Sequence, residues 1–270
     1  MIVNCLFFAG FTDSRKSADA VSGDCQSGAL DEGSIPKIAL VLDDCGANME
    51  LARAVLSLDL PITWAIIPNL RHSFETAEIL KSRGIPFLVH VPMQAEADPD
   101  GDRRTGYGGR YIIAAGMSEE EVRGALLPLL DSLEGAYGVN NHRGSKATAD
   151  EEVMKSVMNV LAERKLFFFD SRTSPKSVAY KAAVSAGLES AFNSRFLDNE
   201  PDRAKIAVQM TKALNMAKES GMAAVICHLR PQTVFFLENL ARDVSKDMHK
   251  SGVKLITLPQ WTEYSKEGKK

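Results

Sequence analysis

Beyond Pro36 the chain alternates short apolar runs with stretches of helical period. The runs at 37–43, 62–67, 86–91, 138–142, 166–170, 188–193, 222–228 and 253–258 read as buried strands, each brief and bounded by polar, Gly or Pro residues. Helices fill most of the gaps. Thr148-Ala149-Asp150-Glu151 reads as a capping box, followed by Val153, Met154, Val157, Met158, Val160 and Leu161 at helical spacing. A second capping box stands at Ser118-Glu119-Glu120-Glu121, and a long late helix is expected from Gln232 to Lys250. Such alternation predicts an α/β fold of parallel strands with helical crossovers, either a (β/α) barrel or a doubly wound sheet. The segment 94–116, rich in Gly and Asp, is the long irregular stretch and is expected to shape a site.

The two ends differ from this pattern. Residues 1–36 read as a flexible tail. Met1–Phe11 is apolar but lacks a leading Lys or Arg, and Thr12–Ser34 has the Ser, Asp, Gly and Ala content of a linker. It suits either a remnant of an export signal with a tether or a poorly ordered N-terminal tail. A globular domain is expected over 37–262 and a charged tail over 263–270. The 270 residues are 45% hydrophobic with a net charge of −3, an ordinary globular composition that argues against nucleic acid as a partner. No apolar run is long enough for a membrane span. The four cysteines form no C-x-x-C pair, which excludes a zinc ribbon or thioredoxin motif. No G-x-G-x-x-G follows the first strand and no P-loop motif occurs.

Chemistry gathers where strands end, as it does in parallel α/β folds. The first strand stops at Asp43-Asp44. Adjacent strand residues face opposite ways, so ideal geometry turns only one of these acids inward, and a helix cap by Asp44 competes with a site. Of the five histidines, His90, His142 and His228 fall at strand ends, as does Asp170, whereas His72 and His249 read as exposed helix residues. One carboxylate with two imidazoles is the ligand set of a catalytic divalent ion, for which nitrogen donors favour zinc, iron, cobalt or nickel over magnesium or calcium. A spare carboxylate and a third histidine suit proton transfer.

These residues carry a resemblance to the divergent polysaccharide deacetylase family of the carbohydrate esterase superfamily. The matching pieces are Leu42-Asp43-Asp44-Cys45-Gly46, Ala65-Ile66-Ile67-Pro68, His90-Val91-Pro92-Met93, Asn140-Asn141-His142-Arg143-Gly144-Ser145-Lys146, Phe169-Asp170-Ser171, Phe196-Leu197-Asp198 and Cys227-His228-Leu229-Arg230-Pro231, in order across 37–262. The resemblance implies a deacetylase-like, distorted seven- or eight-stranded (β/α) barrel. It also implies metal-dependent removal of acetyl groups from N-acetylated sugars of a polysaccharide or peptidoglycan, with zinc the expected ion. It assigns Asp43 as general base, Asp44, His90 and His142 as metal ligands, His228 as general acid and Asp170 as an orienting group. Asn141, Arg143, Ser145, Ser171 and Arg230 are expected to bind substrate or support the site. A glycan substrate implies a periplasmic, extracellular or cell-envelope location.

Three departures stand out. Cys45 and Cys227 replace an aromatic and a glycine. They are expected as reduced thiols, close together if the barrel closes. The usual H-x-x-x-H after the third strand is broken at Met93-Gln94, so His142 is the replacement ligand. The broken motif leaves open a second reading, a weak or inactive glycan-binding or envelope protein that keeps the fold and the ion.

Overall fold

The computed structural model describes residues 35–98 and 112–267, with the side chains of 243–251 and 267 outside the description. Residues 1–34 of the expected 1–36 tail, with Cys5 and Cys25, and residues 99–111 of the expected loop lie outside the described residues. Strand β1 (Lys37–Cys45) leads into α1 (Met49–Leu56), and β2 (Thr63–Ile66) into α2 (Ser73–Ser82). Then come β3 (Phe87–Met93), α3 (Glu119–Asp131), β4 (Gly138–Arg143), α4 (Glu151–Arg164), β5 (Phe167–Asp170) and α5 (Ala179–Ser185). Two short strands follow, β6 (Ser190–Phe192) and β7 (Arg195–Phe196). The chain continues with α6 (Arg203–Ser220), β8 (Met222–His228), α7 (Pro231–Ser251), β9 (Lys254–Ile256) and α8 (Leu258–Glu267).

Every strand pairing is parallel, in the order β6-β5-β4-β3-β2-β1-β8-β7, with β9 alongside the start of β1. One edge of β1 is therefore shared: Lys37–Ala39 pair with β9 below, and Val41–Cys45 with β2 above. Both ends of the sheet come from one segment. Strand β6 pairs with β5, and three residues after Phe192 the chain is already paired with β8 through Arg195. Asn193 N donates to Asp170 O and Ser194 N to Ala224 O, so a strand broken at this point curls the sheet into a distorted barrel. The two-residue β7 has no period to betray it in the sequence.

Alternation along the strands builds two cores. Ala39, Val41, Ala65, Leu88, Phe167, Phe169, Ala224 and Ile226 fill the inside of the barrel, with small residues making room for the two phenylalanines. Ile38, Leu40, Leu42, Val89, Val91, Val139, Phe168 and Val225 face the helices. The expected capping box of α3 forms in full, with Ser118 and Glu121 satisfying each other's backbone donors. For α4 the cap is Asp150, which accepts from Glu152 N and Val153 N, and Thr148 instead bonds Gly144 O inside the preceding turn. The expected charged tail from 263 is helical as far as Glu267, because α8 is anchored: Trp261 and Tyr264 pack on the inner core and Thr262 bonds the Tyr137 hydroxyl at 2.9 Å. No helix among the described residues is long and apolar enough to cross a membrane.

Candidate active site and metal centre

The inward parity of β1 runs Ala39, Val41, Asp43, which brings Asp43 to the carboxyl mouth of the barrel. Ideal alternation would turn Asp44 outward. The register against β2 shifts between Leu42 and Cys45, so one extra residue is inserted, and Asp44 sits at φ 63°, in the left-handed region. Such a bulge re-aims a side chain, and Asp tolerates this conformation better than most residues. Both acids thus line one cleft, correcting the expectation that only one could, and Asp44 does not cap α1: Asn48 does.

Inward parity on β3 and β4 supplies His90, Asn140 and His142. Asp44 Oδ1 lies 3.1 Å from His142 Nδ1 and 3.4 Å from His90 Nε2, and the two imidazole nitrogens are 3.3 Å apart. An ion with four tetrahedral bonds of ~2.1 Å would space its donors ~3.4 Å apart, so the triangle has the dimensions of one face of such a shell. Among the described residues this is the group of acids, histidines and cysteines with the spacing to hold an ion. Asn140, which stood in the matched sequence with no role attached, proves central. Its Nδ2 donates to Asp43 Oδ1 at 2.9 Å, so its Oδ1 must accept, at 2.8 Å, from His90 Nδ1. A neutral His90 then presents a lone pair at Nε2, toward the triangle.

Charge in the cluster is divided unequally. Burial pushes the Asp43 carboxyl up, aided by Asp44 and opposed by His90, His228 and Asn140. Burial also works upward on Asp44, but hydrogen bonds and charge from His142 and His90 outweigh it and hold that carboxyl well below its usual range. Burial pushes His142 down, whereas on His90 the two carboxylates overcome burial and raise it.

His228 ends β8 in register with Asp43. Its Nδ1 donates to Asp198 Oδ1 at 2.7 Å, and its backbone N–H and Thr233 Oγ1 donate to Asp198 Oδ2. Asp198 is fully buried, and its charge overcomes burial to raise His228 above the ordinary imidazole range. The Phe196 ring stacks on the imidazole with an interplanar angle of 9°.

The orienting role expected of Asp170 therefore falls to Asp198. Phe167 and Phe169 point into the barrel, so Asp170 points away from it, accepting from Arg172 N, Ser177 Oγ and Tyr180 N to fix the loop before α5. Ser171, next along, does line the cleft with Asn141, Arg143, Thr173, Asn199 and Arg230, around a volume of about 650 Å³. Asn141 ties β4 to β5 by accepting from Ser171 N. Ser145 instead accepts from Glu96 N and holds the loop after β3. His72 is half-buried at the start of α2, 3.2 Å from Glu75, and the His249 side chain lies outside the description. Cys45 and Cys227 are buried free thiols facing the helix side, each pushed well up by burial.

The chain is similar to an uncharacterized protein of Haemophilus influenzae, 35% identical over 217 residues that cover 80% of this chain and 75% of that one. It is also similar to the uncharacterized protein YibQ of Escherichia coli, 29% identical over 212 residues covering 78% of this chain and 64% of that protein, just under two thirds of its length. Among solved structures, an uncharacterized protein of Agrobacterium tumefaciens superposes with a TM-score of 0.75 at 18% identity, covering 84% of this chain and 89% of that one. Residues 40–261, which hold the whole site, match the family described as divergent polysaccharide deacetylase, and the chain belongs to that family.

Proposed function

We propose that the protein removes acetyl groups from N-acetylated sugars of a polysaccharide or peptidoglycan, with a divalent ion, zinc first among the candidates, held by Asp44, His90 and His142. The observation that carries this reading is the triangle of donor atoms 3.1–3.4 Å apart, with a buried carboxylate and a raised histidine beside it. When bound, the ion supplies Lewis acidity: it polarises the acetyl carbonyl and lowers the pKa of water.

The chain's own groups divide the proton work. Asp43, fixed by Asn140, accepts a proton from the attacking water, and its raised affinity for protons suits it to that task. His228, kept protonated by Asp198, gives its proton to the nitrogen as the C–N bond breaks. Acetate leaves with the new C–O bond, and the sugar retains a free amine. Phe196 and Asp198 hold the His228 ring at one angle, so the proton is aimed.

Acetate release from chitooligosaccharides and peptidoglycan fragments, measured beside the metal content of the purified protein, tests this. Asp43→Asn is expected to lower kcat by about 10²–10⁴-fold while the protein keeps its metal. Bound metal with no acetate from any glycan would replace this reading by that of a glycan-binding protein.

A further inference from the structure

The cleft's cations are unequally matched. His90 and His142 face Asp44, His228 is paired with Asp198, and Arg143 is paired with Asp98. Arg230, half-buried and two residues beyond His228, has no acidic partner among the described residues. Its Nη1 donates to the Asp198 carbonyl oxygen at 3.2 Å, a neutral acceptor, because the Asp198 carboxylate is already taken by His228 and Thr233. The guanidinium nonetheless lines the same cleft as Asp43, His90 and His142. A guanidinium offers five donors in a planar fork that fits a carboxylate with two parallel hydrogen bonds, and partial burial strengthens such a pair.

We infer that Arg230 is a specificity residue that receives a carboxylate borne by the glycan next to the acetamido group, so the substrate class is an acidic N-acetylated sugar rather than a neutral one. This rests on the deacetylase reading for its turnover but not for its binding. A carboxylate can reach the subsite from two sources: an ether-linked lactyl group on the acetamido sugar itself, as in muramic acid, or the ring carboxylate of a neighbouring uronic acid. A neutral chitooligosaccharide would leave Arg230 desolvated and unmatched, which binding penalises.

Four ligands decide it: an N-acetylglucosaminyl-N-acetylmuramic acid disaccharide, the same disaccharide with its lactyl carboxylate reduced to the alcohol, an oligosaccharide alternating N-acetylglucosamine with a uronic acid, and a chitooligosaccharide. Binding by calorimetry and acetate release are measured for each on the metal-loaded full chain. At least one acidic ligand is expected to exceed the uncharged ones by roughly 10- to 100-fold in affinity or kcat/KM, and which acidic ligand does so identifies the carboxylate's source. Arg230→Gln is expected to collapse that ratio and Arg230→Lys to restore part of it. Equal handling of acidic and neutral glycans by the wild type would overturn the inference. So would an equal loss on both in Arg230→Gln, which would make Arg230 a support for Asp198 alone. Absence of acetate from every ligand would sink the deacetylase reading, while the binding ratios would still decide the role of Arg230.

Discussion

At the residue scale, the site depends on two polar partners that stood in the matched motifs with no role attached. Asp198 and Asn140 act through the histidines they hold, and which histidine each meets is decided by strands far apart in sequence. Parity settles the role of Asp170 only once the structure shows which phenylalanines of the Phe167-Phe168-Phe169 run face inward. Once Phe167 and Phe169 are taken as inward, Asp170 must turn outward, and the structure shows it fixing a loop. Asp198→Asn should lower the pKa of His228, because burial pushes it down and the largest influence opposing burial would be gone, leaving only the more distant Asp43 and Asp44. The sign follows from the proton count. A folded pKa above the unfolded ~6.5 stabilises the fold below that pH and is lost as pH rises through the folded value. In the variant both this stability and the alkaline limb of activity should therefore move to lower pH. An NMR titration of the His228 ring checks it, and an unchanged pKa would remove Asp198 from the mechanism. Asn140→Ala leaves a buried carboxylate and a buried imidazole donor each short of a partner, and should cost about 1–3 kcal/mol in urea unfolding.

At the element scale, the run of strands and helices was legible because most strands are brief apolar blocks and α3 and α4 begin at side-chain caps that stand out in the sequence. Besides α8, which runs into the expected tail, two features escaped for physical reasons. Strand β7 is too short to have a period, and the bulge in β1 spends an extra residue that only the pairing with β2 exposes. The same closeness of strands makes Gly138 testable. A Cβ there would lie 2.2 Å from Phe167 O and 2.8 Å from Phe167 C, backbone atoms of the neighbouring strand that have nowhere to yield. Gly138→Ala should therefore destabilise by about 1–3 kcal/mol, as overpacking does. Because β4 carries Asn140 and His142, the variant should also take up metal more weakly. A urea midpoint equal to that of the wild type would show that β4 and β5 separate at little cost.

At the scale of the molecule, the three proposed ligands come from three strands: Asp44 from β1, His90 from β3 and His142 from β4. An ion seated on them would tie three strands of the barrel, β1, β3 and β4, to one point, so its binding should appear as stability of the whole domain and not only as activity. At a free zinc concentration a hundredfold above Kd, linkage gives about 2.7 kcal/mol. For a domain of this size each kcal/mol moves Tm by ~2–4 °C, so the midpoint should rise by about 5–10 °C. Asp44→Asn and His142→Gln each remove a donor of the triangle and should abolish most of that rise. Asp43→Asn leaves the triangle intact, so it should keep the rise while losing acetate release, which separates the proton acceptor from the ligand beside it. Differential scanning calorimetry with zinc and with chelator reads all four proteins. A rise that survives in Asp44→Asn and His142→Gln would place the ion elsewhere and unseat the division of labour between the two adjacent aspartates.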